Sequence, residues 1–267
     1  MNVERENVTT GDIWSEIIQQ AEALETRHEH LRTMVEARVL SHHSMAEALS
    51  AMLSTAIAGV EPLSNSRALF DRVLCAYPTV EVDSSRDLVK LAKINPACPS
   101  MLVGLLSFQG FQAIQLYRVA NKIWLEGNRE LAAMLQNWGA RAFSVDIHPA
   151  AQIGREIFLD HAIGFVVGET AVIEDGVNIW HGVTLGSTLT EAGDRHPKVR
   201  RNATLCAGAT ILGNIEIGAG AIVAANSVVL ASVEPGTVVA GAPARKIAQS
   251  PTSLKVFNAA QEVPSNA

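Results

Sequence analysis

The feature that most constrains the fold is a six-residue rhythm in the second half of the chain. Apolar residues fall at Ile147, Ile153, Leu159, Phe165, Ala171, Val177 and Val183, and again at Leu205, Ile211, Ile217, Val223 and Val229. A repeat this short cannot bury its own apolar side chain. Each copy supplies one strand and a tight turn, and burial comes only when copies stack. Three hexads close one triangular coil, and stacked coils enclose a continuous apolar column. The spacing alone does not fix the hand of the coil, nor does it separate an enzyme from a purely structural solenoid. The gap from Val183 to Leu205 is 22 residues, which is not a multiple of six. Residues 187–202 are therefore expected to leave the coil as a loop carrying Asp194, Arg195, His196, Pro197 and Lys198. Loops on a rigid scaffold are where binding and catalytic groups concentrate.

The first half has a helical period instead. Trp14, Ile17, Ile18, Ala21 and Leu24 share one face, with Asp12 expected as the cap. Residues 45–57 are alanine-rich, and Leu69, Phe70, Val73 and Leu74 form a short stripe. Residues 87–94 are a weaker helix stopped by Pro96, and the pattern returns over 110–124 and 129–143. The expected class is α+β: an all-α domain over 1–142, a β-helix over 143–248, and a flexible Pro/Ser/Asn/Ala-rich tail over 249–267.

Composition narrows the setting. A net charge of −6 argues against a nucleic-acid partner, which needs a basic surface. Cys75, Cys98 and Cys206 are scattered, with neither a zinc spacing nor a disulfide framework. The acidic start lacks a signal-peptide pattern, and the longest apolar stretch, around 101–108, is too short to span a bilayer. A soluble, cytoplasmic protein without a membrane partner is expected.

Four histidines, His148, His161, His181 and His196, lie in or beside the repeat, with Asp146, Asp160 and Asp194 near them. A carboxylate that fixes the tautomer of a histidine makes it a general base toward an alcohol. Asp160 and His161 are expected at one coil corner. Asp146, 15 residues before His161, returns close to it after nearly one coil. A solvated turn histidine is the alternative reading of His161. A zinc site is not expected, because His148, His161 and His181 occupy different places in their hexads and do not converge.

Several stretches together carry a family resemblance. They are Val145 to Ala151, Leu159 to Ala162, Val166 to Ile173, Gly193 to Lys198, Ile211 to Ile215 and Ala240 to Arg245. Gly110, Phe111, Gln112, Ala113, Tyr117 and Arg118 add to them from the helical half. In these the chain resembles the serine acetyltransferase family of hexapeptide-repeat acyltransferases. The resemblance implies a left-handed parallel β-helix and acetyl transfer from acetyl-CoA to the hydroxyl of L-serine, giving O-acetyl-L-serine for cysteine biosynthesis. It makes His161 the general base, oriented by Asp146. Asp160 would pair with His196 and help bind the acceptor ammonium, while Arg195 and His196 would hold its carboxylate. Transfer would be direct, with no covalent enzyme intermediate and no metal, leaving Cys206 as a small packed residue. CoA would run between neighbouring β-helices of a trimer, past Gly186, Thr188, Cys206, Ala207, Gly208 and Ala225, with Arg245 and Lys246 on its phosphates. Two trimers would join through the helical domains.

Four departures qualify this. The family's Thr-Leu-Gly-Gly-Thr-Gly-Lys loop here begins Thr184, Leu185, Gly186, Ser187, Thr188, Leu189 and Thr190. Asn95, before Pro96, stands where an aspartate commonly meets the serine ammonium, so the charge is lost while hydrogen bonding is kept. Ile163 replaces a common threonine. The chain ends Pro264, Ser265, Asn266 and Ala267 rather than in isoleucine, so the usual complex with O-acetylserine sulfhydrylase is not expected. The alternative function is the same chemistry on another small hydroxy- or amino-acid acceptor.

Overall fold

The computed structural model describes residues 9–61, 63–188 and 192–249. Its first part is helical. In α1 (Thr10–Arg27), Thr9 and Asp12 close a reciprocal capping box; Thr9 is the cap and Asp12 the third helical residue, which corrects the expected assignment. A short α2 (Arg32–Val35) runs into a π-turn over Glu36–Leu40, neither visible in the periodicity. Then come α3 (Met45–Ala58), capped by Ser44, and α4 (Ser66–Ala76) packed against it. Helix α5 (Pro78–Ile94) starts well before its apolar stripe, because a proline fits the first turn. Helix α6 (Met101–Ser107) occupies the apolar run, and α7 (Gln109–Leu125) and α8 (Arg129–Phe143) follow their expected spans.

Strand replaces helix after Phe143. The first coil is β1 (Asp146–Ile147), β2 (Gln152–Ile153) and β3 (Phe158–Leu159). The second is β4 (Val166–Val167), β5 (Val172–Ile173) and β6 (Asn178–Ile179). The third is β7 (Thr184–Gly186), β8 (Lys198–Val199) and β9 (Thr204–Leu205), and the fourth β10 (Thr210–Leu212), β11 (Glu216–Ile217) and β12 (Ile222–Val223). The last strands are β13 (Val228–Val229), β14 (Thr237–Gly241) and β15 (Ala244–Gln249). Strands stack into three faces: A (β1-β4-β7-β10-β13), B (β2-β5-β8-β11) and C (β3-β6-β9-β12-β14-β15), all parallel except β15. The tail expected over 249–267 lies outside the described residues beyond Gln249, as do Leu189, Thr190 and Glu191.

The rhythm breaks in a way the sequence disguises. Two side chains per hexad point inward, one at the second strand residue and one two places before it. Val167 and Phe165, Ile173 and Ala171, Ile179 and Val177, and Leu185 and Val183 are all at most 1 % exposed. Counting sixes from Leu159 therefore lands on Phe165, a buried residue of the wrong kind. The true strand position is Val167, eight residues on, so two residues are inserted at the corner that carries His161. The later loop is likewise shorter than expected. The coil resumes at β8, where Val199 is fully buried, rather than after Asn202. Each fully buried aliphatic side chain contributes roughly 1.5–3 kcal/mol.

The helices close the start of the coil. Gly110 of α7 lies against Leu159, whose carbonyl oxygen would be 2.0 Å from any Cβ added there. Tyr117 donates to the Ala151 carbonyl at 2.5 Å and accepts from the Ile153 N–H at 3.2 Å. Arg118 is buried in an ion pair with Asp87 at 2.7 Å, and also donates to the Gly154 carbonyl at 2.7 Å. Asp87 in turn accepts from the Ile157 N–H at 2.9 Å. These side chains fill the hydrogen-bonding positions that a preceding coil would take. They also account for the Gly110, Tyr117 and Arg118 motif by geometry.

Candidate active site

The corner between faces C and A carries His161. The inserted residues force His161 and Ala162 to φ of 60° and 67°, a strained conformation for residues with a Cβ. Ala162 is fully buried, and it pins the corner while His161 projects, with 68 % of its side chain exposed. Nε2 of His161 lies 3.3 Å from Oδ2 of Asp160. Oδ1 of Asp160 accepts from Nδ2 of Asn95 at 3.4 Å, and Oδ1 of Asn95 accepts from the Ala97 N–H at 2.9 Å. Asn95 ends α5, so the helical domain reaches into this corner. Asp146, exposed on β1, accepts from Nε2 of Gln136 on α8 at 2.5 Å, and lies beyond ion-pair distance of His161. Ile163, two residues after His161, is an exposed apolar side chain.

The opposite edge of face A, the A–B corner, holds His196 and Arg195. His196 is only 6 % exposed, and its ring lies directly over Gly168, where a Cβ would be 2.0 Å from Nε2. Thr170 fixes it. Nδ1 of His196 accepts from the Thr170 N–H at 3.2 Å and lies 2.9 Å from Oγ1. Oγ1 in turn accepts from the N–H groups of Arg195 and His196 at 3.0 and 3.1 Å. These bonds leave Nε2 as the protonated nitrogen of the neutral ring. Burial, reinforced by the Arg195 charge, holds the His196 pKa below the usual histidine range. Arg195 pairs with Glu169 at 2.7 Å, which holds the Glu169 carboxyl below its usual value. Lys198 bonds Asp194, Thr170 and the His196 carbonyl, closing the loop onto the coil. His148 sits at this corner one coil before Gly168, edge-on to Trp124 at 5.1 Å, its pKa also lowered by burial.

Within one chain, then, Asp160 meets His161 and Asn95, whereas His196 meets Thr170 and Gly168. The two groups lie on either side of face A, roughly 15 Å across at ~3.3 Å per residue. The residues expected to meet CoA divide in the same way. Cys206, Ala207, Gly208 and Ala225 follow His161 down the C–A corner, tied by bonds from Gly182 to Ile163, Gly208 to His181 and Asn226 to Ala207. Burial pushes the Cys206 thiol pKa up, as suits a packed residue. Arg245 and Lys246 are exposed on β15 at the far end of face C; Lys246 pairs with Glu234 at 3.4 Å. Gly186 and Thr188 lie at the end of β7, on the His196 side. Among the described residues no cluster of three or more metal-ligating side chains forms. No helix among them is long and apolar enough to cross a membrane.

The structure adds three residues to which the sequence assigns no role: His181, Gln136 and Thr170. His181 lies below His161 with ring centroids 5.7 Å apart at 74°. All three depend on which residues stack across coils or pack across domains, and an unaligned sequence carries no local mark of that.

The chain is similar in sequence and in overall structure to known proteins. A family model described as serine acetyltransferase, N-terminal, matches residues 13–116. A serine acetyltransferase of Salmonella typhimurium is 44 % identical over 234 residues, covering 87 % of this chain and 86 % of the relative. A solved serine acetyltransferase in complex with cysteine superimposes with a TM-score of 0.90 at 40 % identity, covering 94 % of this chain and 98 % of that one. A Brucella abortus serine acetyltransferase in complex with coenzyme A gives 0.88 at 39 % identity, covering 93 % and 99 %.

Proposed function

The chain belongs to the serine acetyltransferase family, and from that premise we propose how its residues divide the work. The enzyme is a left-handed β-helix acyltransferase that moves acetyl from acetyl-CoA to the hydroxyl of L-serine. The observation that carries the assignment of the base is the His161–Asp160 pair, projecting from a strained corner above a column of small residues. His161 takes the proton of the serine hydroxyl as its oxygen attacks the thioester carbonyl. The tetrahedral intermediate collapses, the C–S bond breaks, and the CoA thiolate recovers that proton from His161. Asp160 orients the ring and, with Asn95, faces the acceptor ammonium; Asp146 lies on the same side. Arg195 and His196 hold the acceptor carboxylate, a cation and a neutral N–H donor for the two oxygens. CoA runs past Cys206, Ala207, Gly208 and Ala225, with Gly186 and Thr188 on its other side and Arg245 and Lys246 toward its phosphates.

The two half-sites lie on opposite edges of one face, so we assign the complete site to the seam between neighbouring copies. His161 of one copy meets His196 of the next in a trimer, and trimers pair through the helical domain, 1–142, while 143–248 carries catalysis. The enzyme works in the cytoplasm, in cysteine biosynthesis.

The deciding experiment is free-thiol release from acetyl-CoA with L-serine against a panel of hydroxy- and amino acids. L-serine is expected to give the highest kcat/KM. Another acceptor exceeding it would make Asn95 and Ile163 specificity determinants for that compound, and silence across the panel would overturn the reading.

A further inference from the structure

His181 takes no part in the chemistry above, yet it occupies the place next to the base. Its backbone is held by hydrogen bonds that do not involve its side chain. The His181 carbonyl accepts from the Gly208 N–H at 2.9 Å, and the following Gly182 N–H donates to the Ile163 carbonyl at 2.9 Å. The backbone thereby places the exposed His181 side chain one coil below the inserted corner. There it meets the His161 ring edge to face, at 5.7 Å and 74°. His161 needs such a contact. Within one chain, 68 % of its side chain is exposed and its other polar contact among the described residues is the one from Nε2 to Asp160 at 3.3 Å. One contact to one ring atom leaves the ring plane free to turn about that atom, whereas a second contact against the ring fixes the plane.

We propose that His181 is a positioning residue: its ring, packed on His161, sets the plane in which the base takes the acceptor proton. The inference rests on His161 as the base. It assigns no proton transfer to His181, only shape. A group that must lie in line with a reacting hydroxyl loses about a hundredfold in rate when displaced by about 1 Å, so the effect belongs in kcat rather than in substrate affinity.

Three variants of the full-length enzyme test this, His181→Ala, His181→Phe and His181→Gln. Loss of the ring in His181→Ala is expected to lower kcat by about ten- to a hundredfold. The KM values for L-serine and acetyl-CoA should stay within about twofold, and the melting temperature and oligomeric state should be unchanged. The phenyl ring of His181→Phe keeps the packing without the nitrogens, and should hold kcat within about threefold of the parent, with the same pH profile. The flexible amide of His181→Gln should resemble alanine. A normal kcat in His181→Ala overturns the proposal. So does a phenylalanine variant as slow as the glutamine one, which would give the imidazole nitrogens a chemical role; this pair decides the matter even if the alanine variant does not fold. Carbon-13 labelling of the histidine rings gives a readout apart from turnover: the His161 signal should broaden or shift in His181→Ala and hold in His181→Phe. A parent enzyme inactive on the whole panel would sink the functional reading, while unchanged His161 signals in His181→Ala would sink this inference alone.

Discussion

The two edges of face A are built by the same device and put to opposite ends. At the C–A corner two extra residues enter the hexad rhythm, and the result is strained and open. His161 sits at positive φ with most of its side chain in solvent. At the A–B corner a longer excursion enters, and its described end, Asp194 to Lys198, is tied to the coil. His196 is almost wholly buried, Thr170 bonds three of its neighbouring groups, and Lys198 latches the loop. A base must approach a substrate and exchange a proton, so it gains from exposure. A binding group gains from being fixed beforehand, because ordering it during binding costs affinity. On the roles proposed for His161 and His196, exposure and fixity are divided between the two corners rather than averaged over them.

This contrast makes different demands on each corner. The largest effect should come from His161→Ala, which removes the proposed base and should lower kcat by about a hundred- to ten-thousandfold while the assembly stays intact. Steady-state kinetics beside size-exclusion chromatography checks both halves of that statement. Next is Gly168→Ala. Its Cβ would press within 2.0 Å of the His196 ring and drive it from its seat. The KM for L-serine should rise by about tenfold or more, with the KM for acetyl-CoA little changed; equal rises in both would erase the distinction between the corners. Thr170→Val is a milder form of the same test. It removes a hydroxyl serving buried donors and an imidazole, at about 1–3 kcal/mol, so stability and serine affinity should both fall.

The smallest effect is one of pH. Burial lowers the pKa of His42, His148 and His196 in the folded protein. Below the ordinary histidine value of 6.5 these three groups therefore bind more protons in the unfolded chain than in the folded one, and their contribution to stability falls as pH falls. The stabilising contribution is complete above that value and is lost as pH drops through the folded pKa values. Denaturant midpoints from pH 7.5 to 5 should decline, and less steeply in a His196→Gln variant. A flat profile would mean that the A–B corner is less closed than its contacts indicate.

How much of this is legible in the sequence follows from what each residue depends on. The coil is legible because few architectures besides a stack of short strands generate a six-residue period. Asp160, His161, Arg195 and His196 stand out as motifs, but within one chain Asp160 contacts His161 and Asn95 rather than the His196 that the resemblance implies. The phase of the coil is not legible, because Phe165 and Val167 are both buried and either count fits. That ambiguity hides the insertion at His161, and it moves the expected end of the later loop from β8 to Asn202. Helix α5 looks short in the sequence because its first turns carry charged and polar residues, and its start signal is a proline rather than an apolar stripe. Asn95 stands out as a departure, yet its bond to Asp160 depends on how α5 docks on the coil.

The closure of the coil has a consequence for colloidal behaviour. A stack of parallel coils is an open-ended template, and each exposed rung invites another chain to add on, as in amyloid growth. At the start, Tyr117, Arg118 and Asp87 occupy the groups an incoming rung would need. At the finish, β15 reverses direction, its pairing with β14 is interrupted by an irregularity at Val238 and Val239, and it carries Arg245 and Lys246 on its outer side. Reversal, irregular register and charge are each obstacles to strand addition. Addition of a further rung along the coil axis is thereby obstructed at both ends of the described coil, while its three lateral faces stay open.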